Sequence, residues 1–198
     1  MVSPRRHHSR EAGLTLLELM IVVAVIAIVA ALAAPSVGAA AGERRSNETA
    51  LDIVRLARRG RSEAVGYGRA HLLQFTAGAN GQFALFRGDS NRCNNANWAG
   101  VVGAGCTAAN TACRDLVSGD VRSTPGQQIV ISSEDGAAVD ICFEPTGRVL
   151  WRRAGLFSDR QGGPMTGGGV RFNIVRNGGD GVTRRILVPL GADARVLL

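Results

Sequence analysis

The order of hydrophobic and polar positions divides the chain into three regimes. From Leu14 to Val37 nearly every position is apolar, and only Thr15, Glu18 and Ser36 carry polar side chains. A helix that is apolar all round must be buried in protein or lipid. At ~1.5 Å per residue, one of this length reaches across the ~30 Å hydrocarbon core of a bilayer. From Ser46 the pattern becomes amphipathic. Ala50, Leu51, Ile53, Val54, Ala57, Ala64 and Val65 recur at helical intervals, with Arg55, Arg58, Arg59 and Glu63 on the other side. Glu48 and Asp52 come early, where the helix dipole favours acids. Arg59 and Glu63, four apart, can form an ion pair. The Gly66-Tyr67-Gly68 stretch ends the helix. The prediction is one long, bent helix with a membrane half over residues 14–37 and an amphipathic half over residues 38–68.

The third regime, residues 69–198, is a series of short β-type runs. The runs over residues 70–75, which alternates, and 82–86 are joined by the turn signal Gly78-Ala79-Asn80-Gly81. Further strands are predicted over residues 128–132, 139–144, 148–152, 170–175 and 184–188. Pro145-Thr146-Gly147 and Asn177-Gly178-Gly179-Asp180-Gly181 are tight connections between the later ones. A helix followed by antiparallel strands is an α+β arrangement, here a β-rich head packed on the long helix. Residues 87–125 are too long and irregular for an ordinary connection and hold three of the four cysteines. Loops of this kind carry the variable contacts of a domain.

Composition changes the picture in two places. The formal net charge is +7 and the chain has no lysine, so every formal positive charge is an arginine. An Ala/Gly/Arg-rich, lysine-free composition is explained by a GC-rich genome. The basic balance is compatible with nucleic acid or anionic surfaces and establishes neither. Cys93, Cys106, Cys113 and Cys142 all lie beyond the apolar run. An even count in a compartment where disulfides persist points to two bridges, with three connectivities open. A metal site is disfavoured, because there is no C-x-x-C pair and His71 is the nearest histidine.

The N-terminal end carries the most specific signal. Arg5, Arg6, His7, His8 and Arg10 against Glu11 precede the apolar run, which favours a cytoplasmic N-terminus with the rest sent across the membrane. The run exceeds the ~7–15 apolar residues of a secretory signal peptide. Glu18 interrupts it, and the small residue Gly13 precedes it rather than follows it. A carboxylate in lipid costs roughly 2.5–3.5 kcal/mol, so Glu18 needs a partner. The arrangement Gly13-Leu14-Thr15-Leu16-Leu17-Glu18, with Pro35 further on, resembles the type III signal of type IV prepilins and type II secretion pseudopilins.

That resemblance implies a leader over residues 1–13, cleavage between Gly13 and Leu14 by a prepilin peptidase, and N-methylation of Leu14. It also implies that Glu18 pairs with the terminal ammonium of a neighbouring subunit and that Pro35 kinks the helix. Leu14 stands where the family usually has phenylalanine. Loss of a leader with three arginines and one glutamate (net +2) leaves a mature chain of about +5. Implied partners are other minor and major pilins or pseudopilins, the peptidase and the inner membrane. The implied location is a single-pass inner-membrane protein with a periplasmic head, later part of a pilus or pseudopilus.

Within that set, the stretch from Ala57 to Val65 and Phe143-Glu144-Pro145-Thr146-Gly147-Arg148 resemble motifs of the FimT/FimU/GspH group of minor pilins and pseudopilins. The expected role is a non-catalytic subunit that primes or caps a filament, with no cofactor. No G-x-S-x-G, H-E-x-x-H or phosphate-loop pattern is present, and His71 sits in an alternating run as a strand residue. Asp89-Ser90-Asn91-Arg92-Cys93 begins like a calcium loop but places arginine and cysteine inside it. Some FimT-type pilins are DNA receptors through a C-terminal G-R-x-R motif. Here the tail reads Gly191-Ala192-Asp193-Ala194-Arg195, which departs from it. What remains for nucleic acid is Arg171, Arg176, Arg184, Arg185 and Arg195, plus Arg148, Arg152 and Arg153. Arg184 and Arg185 are adjacent in a strand and point to opposite faces.

Overall fold

The computed structural model describes residues 15–78, 81–118, 128–134, 136–159, 165–166, 168–176, 182–191 and 193–197, without the side chains of residues 33–39, 41, 118 and 165–166. The chain forms two compact units, Met1–Ala40 and Ala41–Leu198. The first contains the start of α1 (Leu16–Tyr67), a helix of 52 residues. Among the described residues no helix is long and apolar enough to cross a membrane. The described side chains of the apolar run stop at Leu32, so the span expected over residues 14–37 and the bend expected at Pro35 lie partly outside them.

In the second unit α1 turns the face Ala50, Ile53, Val54, Leu56, Ala57 and Ala64 inward, all buried. The observed stripe follows the helical spacing of the sequence, and α1 ends one residue before Gly68, which adopts φ +64. The strands are β1 (His71–Thr76), β2 (Gln82–Arg87), β3 (Cys113–Ser118), β4 (Ile129–Ser133), β5 (Val139–Phe143), β6 (Val149–Arg152), β7 (Met165–Thr166), β8 (Gly169–Arg176), β9 (Arg184–Pro189) and β10 (Arg195–Leu197). They form two antiparallel sheets, ordered β3-β2-β1-β5-β6 and β10-β9-β8-β4, with β7 paired to β8.

Period-2 alternation decides which side chains face the helix. Leu73 and Phe75 of β1, Phe83 and Leu85 of β2 and Ile141 and Phe143 of β5 join the α1 stripe. The second sheet contributes Ile131, Phe172, Ile174 and Ile186 to the same core. Phe75, Phe83 and Phe172 meet there with ring centroids 4.7–5.1 Å apart. The helix lies tight against the first sheet at Gly60, where an added Cβ would lie 2.8 Å from Leu85 Cδ1 and 3.2 Å from Phe143. Gly81 takes φ +66 beside the Ile131 carbonyl, joining the two sheets where no side chain fits.

The opposite face of the first sheet is buried as well. Leu72, Ala84, Phe86, Cys142 and Leu150 pack there under Cys93, Trp98 and Phe157. The covering layer comes from the region expected as one irregular loop. That region forms a short helix, α2 (Trp98–Val102), in the layer and also supplies the sheet's own edge strand β3. Five residues are too few to display a helical repeat. The run Cys-Arg-Asp-Leu-Val-Ser in β3 is polar on the side that a free edge permits.

Candidate assembly site

The start of α1 is fixed locally. Thr15 Oγ1 accepts a hydrogen bond from the Glu18 backbone N–H at 3.2 Å, and the Thr15 carbonyl accepts from Leu19 N–H at 3.2 Å. Thr15 is therefore the helix cap, and Thr-x-x-Glu is the capping-box spacing. That signal is legible in the sequence but is obscured there by the apolar run. Among the described residues nothing pairs with the Glu18 carboxylate, which stands exposed beside the positive end of the helix dipole. Every described side chain from Leu16 to Leu32 is exposed, from 79% at Leu16 to 75% at Leu32. An apolar surface of this extent requires lipid or other protein against it. Gly13 and Leu14 lie outside the described residues, and Pro35 lies in α1 without a described side chain.

At the other end of α1, Glu63 is a hub. Its carboxylate meets Arg59 Nε at 2.8 Å, Arg114 Nε at 3.3 Å and His71 Nε2 at 3.3 Å, while Arg59 also reaches Asp115 at 2.8 Å. Tyr67 lies within 5.8 Å of Arg87 and 5.5 Å of Arg114. Burial works to raise the Glu63 carboxyl, but the hydrogen bonds and charges of Arg59 and Arg114 outweigh it and hold it below its ordinary value. Burial pushes the His71 imidazole down, against the Arg69 carbonyl and Glu63. The hydrogen bond that Arg59 donates to Glu63 raises its guanidinium, with Asp115 adding to the effect and burial opposing it. His71 opens β1 with no exposed surface, as a strand residue. The cluster ties α1 to β1 and β3.

The four cysteines form two bridges, Cys93–Cys142 and Cys106–Cys113, with Cα atoms 6.1 and 5.3 Å apart. The first joins the covering layer to the inner strand β5 of the first sheet and is wholly buried. Polar side chains fix the rest of the layer. Asn110 Nδ2 donates to the Val101 and Gly105 carbonyls at 2.8 and 2.6 Å. Asn94 exchanges two hydrogen bonds with the Phe157 backbone, and Trp98 Nε1 donates to the Cys93 carbonyl at 2.7 Å.

The arginines considered for nucleic acid divide between the two faces of the second sheet. Register places Arg171 opposite Leu187 and Leu187 opposite Arg195, with Arg185 two residues along β9, so these three share the outer face. Arg184 and Arg176 belong to the inner face. There Arg184 holds Glu43 at 2.6 Å and the Arg176 side chain lies against Gly42, both on α1. Arg148 pairs with Asp159 and Arg152 with Asp140, each at 2.9 Å. Arg153 is exposed. Among the described residues no cluster of three or more His, Cys, Asp or Glu could hold a metal ion.

No curated protein and no solved structure matches the chain. Residues 8–34 match the family model of the prokaryotic N-terminal methylation motif, so this chain bears the prepilin signal of type IV pilin-like proteins.

Proposed function

We propose that the protein is a minor pilin or pseudopilin, a non-catalytic structural subunit that primes or caps a type IV pilus or type II secretion pseudopilus. The observation that carries this reading is the methylation motif over residues 8–34, leading into an exposed apolar helix with one carboxylate, Glu18. A prepilin peptidase would cut between Gly13 and Leu14, and Leu14 would be N-methylated. The apolar half would hold the subunit in the inner membrane as a single pass, with the N-terminus cytoplasmic and the head periplasmic. On assembly the same half would pack against the helices of other pilins. Glu18 would accept the terminal ammonium of a neighbour, each charge offsetting the other's desolvation. Pro35 would set the helix's local direction. The test is Glu18→Ala, which keeps membrane insertion and loses incorporation into filaments. Normal incorporation in a filament pull-down defeats this reading.

A second reading, a DNA-uptake receptor, is favoured by one observation, the shared outer face of Arg171, Arg185 and Arg195. Phosphate contacts need arginines on one face and give salt-dependent binding. It excludes Arg176 and Arg184 from the contact surface, since both lie on the inner face. Titration of the full chain in detergent with double-stranded DNA over a salt series tests it. No binding at low salt removes it.

A further inference from the structure

Beyond assembly, one cavity has the chemistry of a ligand site. A cavity of about 420 Å³ opens between the covering layer and the β5–β6 turn, within the volume range of small-molecule sites. At its base lies Glu144, whose side chain is 5% exposed. Glu144 Oε1 accepts the Cys93 backbone N–H at 3.1 Å. Glu144 Oε2 is buried and has no hydrogen-bond partner among the described residues. Arg92 is the cation paired with Glu144 among the described residues; it is half-exposed and its Nη1 stays 3.9 Å away. Leaving a buried carboxylate oxygen without a donor is costly, so the position asks for one from outside the chain.

The walls restrict what that donor is. Arg148 and Asp159 form a 2.9 Å ion pair at the rim, and Leu150 and Phe157 supply apolar lining. A free cation entering here meets Arg92 and Arg148, and a free anion meets the buried Glu144. A neutral ligand with several hydroxyls meets neither penalty. Its hydroxyls donate to Glu144 Oε2, accept from the guanidiniums, and its C–H face lies on Leu150 and Phe157. The walls are also held in place before any ligand arrives, by the Cys93–Cys142 bridge, the two Asn94–Phe157 hydrogen bonds and the Trp151–Ser158 bridge. Such preorganisation lowers the ordering cost of binding. We propose that this cavity is a saccharide-binding site, in which Glu144 is the central acceptor and Arg92 the displaceable cover.

The experiment is an amide NMR titration of the full chain in detergent micelles with methyl glycosides of glucose, galactose and N-acetylglucosamine. Inorganic phosphate and arginine amide serve as charged probes. The expected result is saturable shifts at Asn94, Ser158 and Asp159 with at least one glycoside. Glu144→Gln keeps a carbonyl for the Cys93 N–H, and its binding should weaken about tenfold or more, as loss of a charged acceptor implies. Unchanged shifts elsewhere in Glu144→Gln verify that the variant is folded. Arg148→Gln, at the rim, should weaken binding without touching the Cys93 hydrogen bond. The proposal is overturned if no glycoside shifts these amides at millimolar concentration. It is equally overturned if Glu144→Gln binds as the parent does, or if phosphate or arginine amide produces the saturable shifts instead.

Discussion

At Gly60 the absence of a side chain is what allows α1 to lie against β2 and β5. Gly60→Val would drive two methyl groups toward Leu85 and Phe143, and overpacking of this kind costs about 1–3 kcal/mol. The expected outcome is a lower urea midpoint with an unchanged slope, measured on the full chain in detergent. The Glu63 cluster makes a second residue-level prediction, with a definite sign. Glu63 is held below its ordinary value, so the stability it contributes is present above the unfolded carboxylate value near 4.5 and is lost as pH falls through the folded one. His71 is also pushed down, so below its unfolded value of 6.5 the unfolded chain binds a proton that the folded chain resists. Both groups make stability rise with pH across the acid range. Urea midpoints should therefore fall in two steps on acidification, and His71→Gln should remove the upper step while leaving the lower one.

At the scale of elements, the two disulfides differ in what they constrain. Cys93–Cys142 spans 49 residues and Cys106–Cys113 only 7. Loop entropy in the unfolded chain then gives about 4 kcal/mol for the first against about 2.5 for the second. Paired alanine variants at each bridge, compared by thermal unfolding, should show the larger loss at Cys93 and Cys142. The larger bridge also joins elements whose relation the sequence hides. The strands β1, β2, β5, β8 and β9 were readable as short apolar runs rich in β-branched and aromatic residues, and the α1 stripe from Ala50 to Ala64 by its helical spacing. The strand β3 was not, because an edge strand with Arg114 and Asp115 has no apolar rhythm. The strand β10, at three residues, is shorter than any periodic signal. The burial of His71 and Glu144 was illegible for a different cause: it depends on which distant segments cover them. Glu18 stood out because an acid in an apolar run breaks the local pattern by itself.

At the scale of the whole molecule, the mature N-terminus is the decisive quantity for the assembly reading. Mass spectrometry of the native protein should find a chain beginning at Leu14 with one added methyl group. The DNA reading has its own global signature. If it holds, replacing Arg185 and Arg195 with alanine should flatten the plot of log affinity against log salt by about 0.9 for each phosphate no longer neutralised. Replacing Arg184 should instead loosen the hold on Glu43 and leave that slope alone.

The burial of the first sheet on both faces has a wider effect. Its central strands must satisfy two neighbours at once, the helix on one side and the disulfide-tied layer on the other. Substitutions along β1 are thus doubly constrained, while the layer's own outward residues answer to neither core. Diversification between related chains should concentrate in that outer layer, leaving the helix-facing half nearly frozen. One scaffold can then display many different exteriors over an unaltered helix-facing core.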